Sequence, residues 1–257
     1  MGKAAVTDTT LLFFMTGAVL SFAHKKYWLM YACMALATVT KGPIGIVFPG
    51  AIIFLYLVIT GQLREILHMH VIRGLMLYFF LASPWYYAMY TVHGMDFINT
   101  FLGFHNVTRF TTPEHANRVT FWYYFPVVIL GMFPWTGMLV QAVKSSISES
   151  RIDDMRQLLL FHVWWLFVFI FFTICQTKLV SYILPMWPPL AVIIGWNVSR
   201  MITKMRHNTT FYSWMFGSGL MFALLGAGWI VGSHYLPEAR FSLIMLGILT
   251  LIIGGGA

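Results

Sequence analysis

Apolar and polar positions along this chain are grouped into long blocks rather than alternating at short intervals. Nine apolar runs stand out, at roughly 10–23, 27–40, 43–60, 74–92, 121–143, 158–175, 181–197, 211–232 and 242–257. Crossing a hydrocarbon core of about 30 Å takes about 20 helical residues. The first two runs are short and parted only by His24-Lys25-Lys26, so they borrow flanking residues or form a re-entrant pair. The pattern predicts an all-α integral membrane protein, a single transmembrane domain over 1–257 built as a polytopic bundle of about nine spans. Residues 61–73 (GQLREILHMHVIR) place Leu63, Ile66, Leu67 and Val71 at helical intervals, and so read as an amphipathic connector on the inner membrane surface. Lys144–Gln157 reads as a solvated inner loop.

Composition sharpens this picture. Only 9% of residues are charged and the mean hydropathy is +0.76, against about 25% charged residues in soluble domains. The net charge of +8 therefore marks cytoplasmic loops, not nucleic-acid binding. With Met1–Thr9 outside, the inner loops hold ten basic residues: Lys25, Lys26, Arg64, Arg73, Lys144, Arg151, Arg156, Arg200, Lys204 and Arg206. The outer loops hold six: Lys3, Lys41, Arg109, Arg118, Lys178 and Arg240. That bias puts the loop 93–120 outside. Cys33 and Cys175 both lie in apolar runs and read as buried thiols.

Four outward places carry candidate chemistry. Asp8 opens the first run, where a helix cap is the plain alternative. Lys41, in TKGPIG, sits at a tight turn; it snorkels, binds a phosphate, or pairs with Asp8 on the same face. The stretch FLGFHNVTRFTTPEHANRVTFWYY gathers His105, Asn106, Arg109 and His115 among aromatics that end in Tyr123 and Tyr124. Arg109 offers a planar fork for phosphate or carboxylate, and Trp122, Tyr123 and Tyr124 also fit an interfacial aromatic belt. His105 and His115 keep a divalent metal open as an alternative, although no certain cofactor follows. Lys178 and Tyr182, in TKLVSYILP, are four apart and share a side if helical; Pro185, Pro188 and Pro189 break the run that follows. Cations beside apolar grooves suit a lipid with an anionic head group.

The motifs TKGPIG, SPWYY, HNVTRF, FWYY and TKLVSYILPMWPPLA, in this order over nearly all of residues 3–200, resemble the integral-membrane glycosyltransferases of family 39. Within that family they are most similar to the branch of aminoarabinose–lipid A transferases and protein O-mannosyltransferases. The resemblance implies the C-type glycosyltransferase architecture and a multi-pass protein of the bacterial plasma membrane with its active face outside. It implies transfer of a sugar from a polyprenyl-phosphate donor to a lipid, protein or wall-polymer acceptor. It assigns Asp8 as the catalytic acidic residue, and Arg109, Lys178 and Tyr182 as contacts to the donor phosphate; Lys41 joins that set from its own position at the TKGPIG turn. His105, Asn106, His115, Tyr123 and Tyr124 fall in the substrate loop.

The family's main catalytic acid belongs to a first outer loop that would precede Asp8, so the chain is expected to be a portion of a larger enzyme, truncated at both ends and inactive alone. Two other classes compete. A secondary transporter would also carry broken spans, but charges here concentrate in loops, with His162 the clearest ionisable residue inside a run. A non-catalytic lipid-binding or assembly subunit would explain the missing loop.

Overall fold

A computed structural model describes residues 7–97, 121–150, 156–203 and 209–255. Among them all regular structure is helical. In chain order the α-helices are α1 (Asp8–Ala23), α2 (Tyr27–Lys41), α3 (Ile44–Ile59), α4 (Glu65–His68), α5 (Val71–Phe97) and α6 (Tyr124–Gly131). They continue with α7 (Thr136–Glu149), α8 (Gln157–Ile174), α9 (Trp187–Thr203), α10 (Thr209–Gly232) and α11 (Arg240–Gly255).

Each of the nine apolar runs contains helix among the described residues, but nine full crossings do not follow. Two helical segments, Gln157–Ile174 and Trp214–Gly232, are long and apolar enough to cross a membrane among the described residues. A third appears if the broken pair Phe121–Gly131 and Thr136–Glu149, bent by 102°, is one span. The shortfall has physical causes. α1, α2 and α3 have 16, 15 and 16 residues, below the length of a perpendicular crossing. The run 121–143 is interrupted around Pro134, which has no N–H to give a helix. The run 181–197 starts as a 3-10 helix, Val180–Met186, and becomes α-helical only at Trp187. Pro188 and Pro189 then occupy the first turn of α9, where a missing N–H costs least. The 61–73 connector is shorter than its pattern suggests. Glu65–His68 forms one short helix, His70 takes a positive φ of 47°, and Val71–Arg73 already belong to α5.

The chain divides into two compact units. The first comprises Met1–Tyr124 and Ser150–Leu190. Its core is made of Met15, Ala18, Val19, Met30, Ile52, Trp164 and Ile183, all without solvent exposure. Small residues let its helices approach closely: a side chain at Gly45 of α3 would strike the backbone of Ala37 and Thr38 in α2, and one at Gly74 of α5 would strike the ring of Tyr31. Phe48 of α3 packs edge-on against Phe167 and Phe171 of α8, with centroids 5.3 and 4.8 Å away. Such pairs contribute about 0.5–1.5 kcal/mol each beyond burial.

The second unit comprises Phe125–Glu149 and Ala191–Ala257. α7 meets α10 where Gly137 and Gly217 bring their backbones together, flanked by stacked Trp135 and Trp214, 5.7 Å apart. Ser218 donates to the Pro134 carbonyl at 2.6 Å, satisfying a group freed by the broken helix. α10 and α11 close at Gly226, where an added Cβ would lie 2.9 Å from the Gly247 carbonyl oxygen.

Candidate functional site

The first unit carries a cavity of about 570 Å³ at the end where α1 starts, α2 gives way to α3, and α8 finishes. Asp8 is the first residue of α1 and Lys41 the last of α2. Adjacent antiparallel helices bring a start beside an end, and each charge also suits its own helix dipole. The two side chains form an ion pair, with Asp8 12% and Lys41 34% exposed. Gly42, at φ 83°, ends α2 and donates its N–H to the Thr38 carbonyl at 2.8 Å; Pro43 then leads into α3. A positive φ of this kind favours glycine, so the GP pair of TKGPIG aims Lys41 back towards α1. Of the options left open by the sequence, the structure shows the pairing with Asp8. Asp8 makes no cap, since the N-cap residue Thr7 has no side-chain cap hydrogen bond and the carboxylate goes to Lys41.

Tyr182 comes from the 3-10 turn after α8. Its ring lies 5.5 Å from the Lys41 ammonium and 5.5 Å from the ring of Phe172. A cation at that distance from an aromatic face is held by the ring quadrupole. Thr7, Thr40 and Ser181 complete the polar part of the cavity, and Leu11, Ile44, Val47, Phe48 and Phe171 form its apolar wall. A polar end carrying fixed charge and an apolar flank can hold an amphiphile: charged head against Lys41 and Asp8, chain along α3 and α8.

Lys178 sits differently. It does not line the cavity, and its ammonium donates to the carbonyls of Thr173 at 2.5 Å, Cys175 at 2.8 Å and Phe172 at 3.5 Å. These carbonyls belong to the end of α8, where orphan acceptors need partners. Burial shifts the ammonium below the ordinary lysine range. The turn is extended at Leu179 (φ −130°, ψ 147°), so the helical four-residue relation between Lys178 and Tyr182 does not apply. Tyr124 is fully buried and braces the same turn: its hydroxyl donates to the Leu179 carbonyl at 3.2 Å, and its ring faces the Lys178 ammonium at 5.9 Å. Tyr123 packs edge-on against Tyr124 at 5.0 Å, while Phe121 and Trp122 are 57% and 62% exposed, as interfacial aromatics would be. Arg109, His105, Asn106 and His115 lie outside the described residues.

Among the described residues no cluster of His, Cys, Asp and Glu is grouped to hold a metal. Sequence reasoning missed Thr7, Thr40, Ser181 and the Phe171 wall. The first three are neighbours of residues already singled out, so a wider reading of the same motifs would have reached them. Phe171 is one apolar residue in a uniformly apolar run, and nothing in its surroundings marks it.

No family model matches the chain. In an alignment of 261 positions that covers 95% of the chain, it is 28% identical to the undecaprenyl phosphate-alpha-4-amino-4-deoxy-L-arabinose arabinosyl transferase of Pectobacterium atrosepticum. In an alignment of 255 positions, again covering 95% of the chain, it is 30% identical to transferase 1 of that name from Proteus mirabilis. An uncharacterised protein of Aquifex aeolicus is 29% identical over 93% of the chain. The chain spans about half the length of these curated relatives, covering 46%, 44% and 51% of them respectively. Two solved structures share its fold: ArnT from Cupriavidus metallidurans bound to undecaprenyl phosphate (TM-score 0.63, 21% identity) and in the apo state (TM-score 0.70, 20% identity). Each likeness covers 97% of this chain, with 52% and 51% of the ArnT chain. The chain thus resembles the aminoarabinose transferases in sequence and has the all-helical architecture of ArnT.

Proposed function

We propose that this chain, similar to undecaprenyl-phosphate aminoarabinose transferases and folded like ArnT, carries the donor-lipid pocket of a membrane glycosyltransferase. The substrate is a sugar on a polyprenyl phosphate, and the acceptor is a lipid-borne oxygen on the outer face. The reading is carried by one observation: the Asp8–Lys41 pair stands at the polar end of a cavity whose other wall is apolar. The polyprenyl chain lies along Leu11, Val47 and Phe171, and the phosphate meets Lys41. A lysine ammonium has three donors and Asp8 engages one of them, so the pair can accept a phosphate without breaking.

In the reaction, the acceptor oxygen attacks the anomeric carbon as the bond from that carbon to the phosphate oxygen breaks. The lipid phosphate leaves with the bonding electrons, and fixed cations stabilise the charge it gains. Lys41 supplies one cation, and Arg109, from the substrate loop, supplies a bidentate one. Asp8 orients the acceptor or takes its proton. Tyr182 holds Lys41 over its ring. Lys178 is a positioning residue: it fixes the turn that presents Ser181 and Tyr182, and it joins the phosphate field only by giving up a carbonyl.

A polyprenyl phosphate bearing a diazirine near its head tests this directly. On irradiation with the purified chain, peptides containing Leu11, Val47 and Phe171 should carry the label, and excess unmodified polyprenyl phosphate should remove it. Labelling that avoids all three peptides would refute the pocket assignment.

A further inference from the structure

The motif SPWYY lies in α5 and contributes no lining residue to the Asp8–Lys41 cavity. Its Tyr86 nevertheless reaches the helix that carries Lys41: the hydroxyl donates to the Thr38 carbonyl of α2 at 3.1 Å. The same carbonyl accepts the Gly42 N–H at 2.8 Å. A carbonyl oxygen has two lone pairs, so the tyrosine bond adds to the helical one without displacing it. Thr38 is 3% exposed, so little water competes for the contact. Thr38 and Lys41 are three apart, which makes them neighbours on one side of α2. The bond therefore pins the turn from which Lys41 projects.

The Tyr86 ring is itself held in place. Trp85 meets it edge-on at 4.9 Å, and Phe97 lies 6.2 Å from Tyr86 and 5.8 Å from Trp85. Phe97 comes 11 positions after Tyr86, and a continuous helix would set it about 17 Å away. Gly94, at φ 60° and ψ −146°, breaks that helix and turns Phe97 back onto the two rings. Glycine suits such a positive φ. An aromatic clamp thus aims the hydroxyl at Thr38.

Lys41 needs a fixed base. Its four-carbon stem is flexible, yet its ammonium meets both the Asp8 carboxylate and the Tyr182 ring. A shift of the last turn of α2 would move it off one partner or both. We propose that Tyr86 is a positioning residue of the transfer site, whose hydroxyl bond to Thr38 sets where the Lys41 ammonium stands between Asp8 and Tyr182. The role rests on the donor-lipid reading of that cavity. A tyrosine that only packed α5 against α2 would stabilise the bundle with no particular effect on Lys41.

Two measurements on the purified chain in detergent test the role. Tyr86→Phe is the variant, and Tyr87→Phe, at a neighbour that is 71% exposed, is the control. The first measurement is the acetylation rate of each lysine with a water-soluble acetyl ester, read by mass spectrometry without lipid. Tyr86→Phe should raise the Lys41 rate about twofold to tenfold, the range that losing one hydrogen bond gives. Lys25, whose side chain is 76% exposed, should react as in the parent. The second measurement is equilibrium binding of polyprenyl phosphate. Tyr86→Phe should weaken it by a similar factor, and should cause no further loss in a Lys41→Met background. Tyr87→Phe should match the parent in both.

An unchanged Lys41 rate in folded Tyr86→Phe overturns the proposal. So does a binding loss that persists undiminished beside Lys41→Met, because the hydroxyl would then act by another route. If the parent binds no polyprenyl phosphate, the donor-lipid reading fails, and the lysine rates alone decide whether Tyr86 positions Lys41. Should Tyr86→Phe fail to fold, Phe97→Leu takes its place, since it loosens the ring and leaves the hydroxyl. It should raise the Lys41 rate, and an unchanged rate overturns the proposal.

Discussion

Asp8 and Lys41, 33 positions apart in the chain, meet as an ion pair because α1 begins where α2 ends. The pair is part-buried, so solvent screens it less than a surface contact while each side chain still bears part of a desolvation cost. Asp8→Asn and Lys41→Met should each destabilise the first unit, and the double variant should cost less than the sum. A coupling of about 0.5–3 kcal/mol is expected, towards the low end because Lys41 is one-third exposed. Chemical denaturation of the four proteins in detergent measures it; strict additivity would mean the two side chains act separately.

Lys178 should behave as a structural cation first. Lys178→Met leaves the carbonyls of Thr173 and Cys175 without their donor, at about 1–3 kcal/mol for an unsatisfied buried group. Its thermal midpoint should fall further than that of Lys41→Met. A Lys178→Met protein of parental stability that nevertheless binds no polyprenyl phosphate would make Lys178 a direct ligand instead.

Tyr182 separates a ring effect from a hydroxyl effect. Tyr182→Phe keeps the face beneath the Lys41 ammonium and should bind polyprenyl phosphate nearly as well as the parent. Tyr182→Leu removes that face and should lose about 0.5–1 kcal/mol of binding. Equal affinities for Phe and Leu, measured by equilibrium binding in detergent, would remove the cation–π contact from the account.

The outward placement expected of the loop 93–120 is open to chemical labelling. In a background carrying Cys33→Ala and Cys175→Ala, a cysteine at Thr112 should react with a membrane-impermeant thiol reagent in intact cells. One at Gln62, on the opposite side of the bundle by the basic-residue bias, should react only after permeabilisation. The reverse pattern would move the transfer pocket to the inner face.

Much of this was readable in the sequence because its signals are local. The nine apolar runs each contain helix among the described residues. Asp8, Lys41 and Tyr182 were legible from short motifs, and the three do share one cavity wall. What stayed hidden depends on tertiary placement. Lys178 looks like a free cation in TKLVSY, and only the end of α8 above it shows where its donors go. Tyr124 reads as one of several interfacial aromatics, yet it is fully buried, because its hydroxyl finds the Leu179 carbonyl. The break in the run 121–143 was visible as Pro134, but its 102° bend was not, because a proline sets where a helix breaks and the packing around it sets the angle. The count of nine crossings is not confirmed for a similar reason: hydropathy marks an apolar helix whether or not it is long enough to span.

The central claim is that the Asp8–Lys41 cavity binds a polyprenyl phosphate, and native mass spectrometry of the chain with added polyprenyl phosphate tests it most directly. The parent should retain the lipid with its phosphate. Lys41→Ala and Arg109→Ala should each lose about 1.5–3 kcal/mol of affinity, the worth of a charged hydrogen bond, and Arg109→Lys should lose less than Arg109→Ala. Retention by folded Lys41→Ala and Arg109→Ala proteins at the parental level would contradict the account and leave both cations as interface anchors.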